Sequence, residues 1–223
     1  MINLSFLTGK TTDQLIPFLD SKHLVHQDMN QDLVNLFGEA KKEGFDLAIT
    51  STFRSFETQK IIWNEKSCGK RVVLDSNSFP IDISKKSNTE LLFLILRWSA
   101  LPGASRHHWG SDLDIYDSAA VSTDYKVQLI PSEYENLGPF YQSALWLNKN
   151  MERFGFFRPY ARDNGGIAPE PWHLSYRPLS ENFLKHYTFS KFEEHLLQSD
   201  FLLLDEAKTE SFEIYNRFIK IPE

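Results

Sequence analysis

The sequence predicts an α+β fold, a small antiparallel sheet flanked by helices, with a helical C-terminal extension. Three observations carry that expectation. Apolar residues recur at helical spacing in several segments that Gly or Pro closes. The strand-like segments are short and few, without the regular strand–helix alternation that builds a parallel sheet. From Ser180 onward the pattern is mostly helical. No internal repeat and no linker of biased composition interrupts the 223 residues, so one domain is expected, its motif-bearing core at about 28–178 and its extension at about 180–223.

Element by element, Asp28 is placed to cap a helix that carries Leu33, Leu36, Phe37 and Ala40 on one face and stops at Gly44. Phe45 to Ser51 reads as a short buried strand. Ser55 caps a second helix through about Lys66, with Ile62 and Trp63 inward. Residues 69–86 have the Gly, Pro, Asn and Ser density of a loop or loose hairpin. Ser87 or Asn88 opens a helix, apolar nearly all round, that is expected to run to Leu101 before Pro102 and Gly103. Polar and apolar residues alternate from Ser111 to Asp117, which indicates a strand. A helix from about Pro139 to Phe154 ends at Gly155, a long loop covers Arg158 to Pro169, and Trp172 to Tyr176 returns as a strand.

Composition removes several function classes. Apolar types at 41% and charged types at 24% exclude a disordered chain. A net charge of −6 argues against a nucleic-acid partner, which requires a basic face to displace counterions. Cys68 stands alone, so no intrachain disulfide and no cysteine-based metal knuckle can form, and an idle thiol is expected. The longest apolar run, Leu91 to Leu96, is far short of the ~20 residues that cross a bilayer. Met1 to Leu7 has no basic segment and no long apolar run, so no export signal is expected. The sequence as it stands predicts a cytoplasmic protein, with a periplasmic site or release by lysis as the alternatives.

Two segments concentrate chemistry: Ser105-Arg106-His107-His108-Trp109-Gly110-Ser111-Asp112-Leu113-Asp114 and Pro169-Glu170-Pro171-Trp172-His173. A catalytic zinc takes three N or O ligands and keeps one open position. One His and one Asp from the first segment, with His173 from the second, supply that set. Spacing alone does not choose between His107 and His108, nor among Asp112, Asp114 and Asp117. Glu170, held between two prolines three residues before His173, is suited to act as general base beside such a metal.

On these residues the chain resembles the VanY-like D-alanyl-D-alanine carboxypeptidases, a zinc peptidase group that also includes D-Ala-D-Ala dipeptidases and phage cell-wall endopeptidases. The family pattern S-x-H-x-x-G-x-A-x-D is met by Ser105, His107, Gly110 and Asp114. E-x-W-H is met by Glu170-Pro171-Trp172-His173, and an upstream S-x-x-R-S with a following Gln by Ser51-Thr52-Phe53-Arg54-Ser55 and Gln59. The resemblance implies His107, Asp114 and His173 as Zn2+ ligands, Glu170 as catalytic base, and Arg54 as the cation that steadies the oxyanion. It implies Ser105, Gln59 and Trp172 on the substrate side, Trp172 as a wall beneath the site. Asp112 stands where the family usually has Ala, and Phe53 where it usually has Tyr.

The remaining residues have plainer expectations. His108 is a packing or supporting residue, and His23, His26, His186 and His195 are solvated surface positions. Trp109 either lines the groove or packs in the core. The expected activity is zinc-dependent removal of the terminal D-Ala from peptidoglycan stem peptides or muropeptides, as a D,D- or L,D-carboxypeptidase. An endopeptidase or a D-Ala-D-Ala dipeptidase are the alternatives within the class. A non-catalytic, zinc-stabilised cell-wall binding module is the alternative outside it, and the retained Glu170 argues against that reading.

Overall fold

The computed structural model describes residues 2–19 and 21–220. In chain order its elements are α1 (Leu4–Leu7), β1 (Leu15–Pro17), β2 (Leu24–His26), α2 (Asn30–Lys42), β3 (Leu47–Ser51), α3 (Phe56–Ser67), α4 (Asn88–Leu96) and β4 (Asp112–Asp117). There follow α5 (Pro131–Tyr134), α6 (Tyr141–Asn150), β5 (Phe156–Phe157), β6 (His173–Tyr176), α7 (Arg177–His186), α8 (Phe189–Leu197), α9 (Leu204–Thr209) and α10 (Ser211–Ile214). β1 and β2 form a separate hairpin, and the main sheet is antiparallel in the order β3-β4-β6-β5. The α+β expectation holds.

The sheet has two unlike faces because side chains alternate along a strand. Leu113 and Ile115 of β4 and Leu174 and Tyr176 of β6 join Leu33, Leu36 and Ala40 of α2 in one apolar cluster. Leu113 and Leu174 are both wholly buried, so truncating either to Ala is expected to cost about 2–5 kcal/mol. The intervening residues Asp112, Asp114, His173 and Ser175 face the other way, and they too are buried. Register completes the arrangement: Asp114 lies opposite Ser51 on one side and His173 on the other. A register shift between Ile49 and Ser51 makes this possible. Ile49 pairs with Ile115, and one extra residue then brings Ser51 to Asp114 rather than to Leu113.

Several boundaries differ from the sequence expectation. Asp28 does not cap α2. The His26 ring instead accepts from Asp28 N at 3.2 Å over a short 3-10 turn, Gln27–Met29, and α2 starts at Asn30. Ser55 and Ser87 do cap α3 and α4, the latter in a full capping box with Glu90. α4 stops at Leu96 rather than Leu101. There the chain turns so that the Arg97 carbonyl accepts from Ala168 N at 2.9 Å, while its guanidinium pairs with Asp163. The helix expected to reach Phe154 ends at Asn150 and finishes as a 3-10 turn, Met151–Phe154. β3 is half-buried and begins at Leu47, and residues 69–86 form the expected loose hairpin, with one bridge between Leu74 and Pro80.

The C-terminal extension is part of the core. Phe183, Tyr187, Phe192, Leu196, Ile214 and Phe218 pack with Trp63 of α3 and with Leu92 and Ile95 of α4. It also grips the segment before His107: the Tyr187 hydroxyl donates to Gly103 O at 2.7 Å, and His195 Nε2 to Pro102 O at 2.8 Å. Gly103 has φ +85° with the His195 ring directly against it, so no side chain fits there. His195 and His26 are therefore buried structural residues, not the surface positions expected, because partners distant in sequence enclose them. His186 is exposed as expected, and His23 is half-buried. No helix among the described residues is long and apolar enough to cross a membrane.

Candidate metal centre and catalytic cleft

His107 lies in the 3-10 turn Arg106–Trp109, which Gly110 ends at φ +65°. Asp114 and His173 face each other across β4 and β6. The three side chains meet, with one ligand atom from each lying within 4.8 Å of the others. His107 Nε2 is 3.3 Å from Asp114 Oδ2, and His173 Nδ1 is 3.1 Å from Asp114 Oδ1.

The far nitrogen of each ring indicates what the near one offers. His107 Nδ1 is 2.9 Å from Thr52 O, a pure acceptor, so it carries the proton. His173 Nε2 is 3.0 Å from Asp112 Oδ1 and donates to that carboxylate. In the neutral rings, His107 Nε2 and His173 Nδ1 are then lone pairs aimed at the Asp114 carboxylate. Acceptors facing acceptors in a buried site call for a cation between them, and two imidazoles with one carboxylate fit zinc. The metal-free alternative is a proton. Burial opposes charge on His173, but hydrogen bonds to Asp112 and Asp114 outweigh it and raise its pKa to about 10. Burial keeps His107 below its usual value despite Asp114.

Glu170 lies beside this cluster, with Oε2 3.5 Å from His173 Nδ1. Its backbone is fixed by Glu170 N donating to Tyr160 O and Glu170 O accepting from His173 N. Burial, aided by the charge of Asp114, raises its carboxyl to about 7 against the pull of His173 and Arg54. A carboxyl poised there exchanges a proton readily at neutral pH.

Arg54 enters from the turn between β3 and α3 and is tied at four points. Nη1 donates to Gln59 Oε1 at 2.8 Å and Nη2 to Ser51 Oγ at 2.9 Å. Its backbone N donates to His107 O, and its carbonyl accepts from His108 Nδ1. His108, wholly buried, also accepts from Gly103 N through Nε2 at 2.9 Å. It is a supporting residue, as expected.

A cleft of about 260 Å³ opens over the cluster, lined among others by Arg54, Lys66, Ser105, Tyr160, Glu170 and Trp172. Ser105 and Trp172 thus reach the cleft as expected, the latter buried against Tyr134. Gln59 does not. It is wholly buried behind Arg54, with Nε2 donating to Ala100 O at 2.7 Å, so it holds the cation rather than a ligand. Trp109 is a core residue whose Nε1 donates to Leu7 O. Asp112 sits behind His173, touching its Nε2 on the side opposite Asp114. Lys66 and Tyr160 also line the cleft, although no sequence motif marks either as a site residue. Cys68 is exposed and does not line the cleft.

Comparison with known proteins agrees with the geometry. A family model described as VanY, D-alanyl-D-alanine carboxypeptidase, matches residues 22–180. An uncharacterised protein of Haemophilus influenzae is 40% identical over 83 residues, 36% of this chain and 63% of that one. A D-alanyl-D-alanine carboxypeptidase of Enterococcus faecalis is 29% identical over 147 residues, 65% of this chain and 45% of that one. The chain therefore spans less than two thirds of either relative. Among solved structures, VanYB in complex with D-alanine-D-alanine superposes with a TM-score of 0.54 at 24% identity, covering 78% of this chain and 81% of that one. A VanY D,D-pentapeptidase in complex with Zn(II) gives 0.53 at 24% identity, covering 78% and 83%. At these identities the likeness to the solved structures is one of fold. The family match, which covers more than half of the chain and includes every residue of the metal cluster and its neighbours Arg54 and Glu170, places the chain in the VanY family of D-alanyl-D-alanine carboxypeptidases.

Proposed function

We propose that the chain is a zinc-dependent carboxypeptidase that hydrolyses the terminal D-Ala from peptidoglycan stem peptides. The observation that carries this reading is the convergence of His107, Asp114 and His173 on one point, with the Glu170 carboxyl beside it at the floor of a cleft. When bound, zinc supplies Lewis acidity and a nucleophile available at neutral pH. Glu170 takes the proton of the attacking water on its carboxylate and returns it to the departing amine. Arg54, fixed by Gln59 and Ser51, donates to the carbonyl oxygen as negative charge develops there, and needs no reorganisation to do so. The low-dielectric cleft strengthens that contact.

The cleft wall favours a carboxypeptidase over an endopeptidase. Lys66 and Arg106 line the same cleft as Arg54; Arg106 is paired with Asp112, and Lys66 adds a cation beside Arg54. A substrate that ends in a carboxylate supplies a negative partner for such a pair, whereas an internal peptide bond does not. The test is to incubate the zinc-loaded protein with muropeptides ending in tripeptide, tetrapeptide and pentapeptide stems, and to weigh the products, with Glu170→Ala as control. Loss of one alanine, absent in the control, is the expected result, and the stem consumed separates D,D- from L,D-activity. Release of a dipeptide or a larger fragment would move the assignment to a dipeptidase or endopeptidase. Zinc retained without any cleavage would leave the binding-module reading in its place.

A further inference from the structure

Asp112 and Arg106 are buried beside the metal cluster and take no part in the reaction just described. Asp112 is wholly enclosed and Arg106 nearly so. Arg106 Nε donates to Asp112 Oδ1 at 2.8 Å, and its Nη2 to Ser175 Oγ at 2.6 Å. The guanidinium lies 5.1 Å from the centre of the Trp109 ring. Ser111 Oγ donates to Asp112 Oδ2 at 2.7 Å. Burial works against the Asp112 charge, but Arg106 and the bond to His173 outweigh it and hold the carboxyl below the usual range.

We propose that Asp112, anchored by Arg106, is a positioning residue that fixes the His173 ring and its tautomer so that Nδ1 is presented to the metal. This rests on the metal site of the reading above, but not on its peptidase activity. Asp112 and Asp114 are two apart on β4 and so share a face, roughly 7 Å from each other along the strand. That interval spans one imidazole and a polar contact at each end. Asp114 takes the Nδ1 side at 3.1 Å and Asp112 the Nε2 side at 3.0 Å. Without Asp112 the ring is free to flip or to carry its proton on Nδ1, and either change withdraws the lone pair from the site. Carboxylates placed behind a ligating histidine in this way typically contribute 10–100-fold in metal affinity. Arg106 holds Asp112 in place, its Nε donating to the same Oδ1 that faces His173 Nε2 and its Nη2 reaching Ser175 Oγ.

The test uses zinc and cobalt(II) alone. Zinc affinity is measured by chelator competition and the cobalt(II) visible spectrum is recorded for the native protein, D112N and D112A, with the melting temperature of each metal-free protein alongside. The expected result is a loss of about 10–100-fold in zinc affinity for D112A with an altered cobalt spectrum. D112N, which keeps an acceptor but not the charge, should recover part of that loss. An equal loss in both variants also supports the proposal and assigns the effect to the charge. D112A leaves Arg106 without its partner, so if it does not fold, D112N alone decides by a loss of threefold or more. A folded variant with zinc affinity within twofold of native and an unchanged cobalt spectrum overturns the proposal, as does a native protein that binds no zinc. A native protein that binds zinc but cuts no muropeptide would defeat the proposed activity and leave this inference standing.

Discussion

Asp112, Asp114 and His173 are carried on two paired strands, while Arg54 and Glu170 are carried on loops. The strand residues owe their places to register: once Leu113 and Leu174 enter the core, their polar neighbours are committed to the opposite face. The loop residues have no register to hold them and rely on individual tethers. Arg54 depends on Gln59, Ser51 and His108, and Glu170 on its flanking prolines and a turn closed by His173 N. Two of the three candidate metal ligands are thus fixed by the sheet, whereas His107, on its 3-10 turn, and the residues that would handle the substrate rely on individual contacts.

Four experiments would break or sharpen that division. Asp114→Ala should abolish stoichiometric zinc binding and all activity, whereas Glu170→Gln should lower kcat by about 10²–10⁴-fold with zinc content unchanged; equal zinc loss in both would erase the distinction. Gln59→Leu frees Arg54 Nη1 without touching the cleft, and kcat is expected to fall by roughly tenfold with zinc affinity intact, since small misplacements of a catalytic group are costly. An unchanged kcat would show that Ser51 and the backbone bonds suffice. Lys66→Met should raise KM several-fold for a peptide ending in a free acid and leave its amide unaffected; an equal change for both would remove Lys66 from carboxylate recognition.

The smallest effect concerns the extension that grips Pro102 and Gly103. Burial lowers the His195 pKa to about 4, below the 6.5 of an unfolded chain, so the unfolded state binds the extra proton first. The contribution of this group is fully present above pH 6.5 and drains away as the pH falls towards 4. Urea unfolding at pH 7 and pH 5 should show a loss of about 1–2 kcal/mol that His195→Gln reduces. A pH dependence identical in the variant would assign the loss to other groups.

The sequence made the chemistry easier to see than the scaffold. His107, Asp114, Glu170 and His173 lie in short segments whose residue types are unusual together, and the structure gathers them. Helix starts were legible where a serine caps locally, at Ser55 and Ser87. Ends set by distant partners were not. α4 stops where Arg97 turns to Asp163 and Ala168, an event that no local pattern announces. The β1–β2 hairpin leaves little trace in the sequence because its strands are three residues each and one contains Pro17. His26 and His195 look like surface residues until Gln14, Phe6 and Phe183 close on the first and Pro102 and Phe56 on the second. Gln59 belongs to the motif, but only the three-dimensional arrangement shows that it serves Arg54.

The alternation along β4 has a consequence for how such a protein changes over generations. Its positions Leu113 and Ile115 face the apolar core, and its positions Asp112 and Asp114 face His173 and the candidate metal cluster. Substitutions in the first set are filtered by whether the chain survives, and those in the second by what it can bind. From Asp112 to Ile115 the strand therefore keeps two separate accounts, and a substitution on its polar face leaves the packing of its apolar face in place.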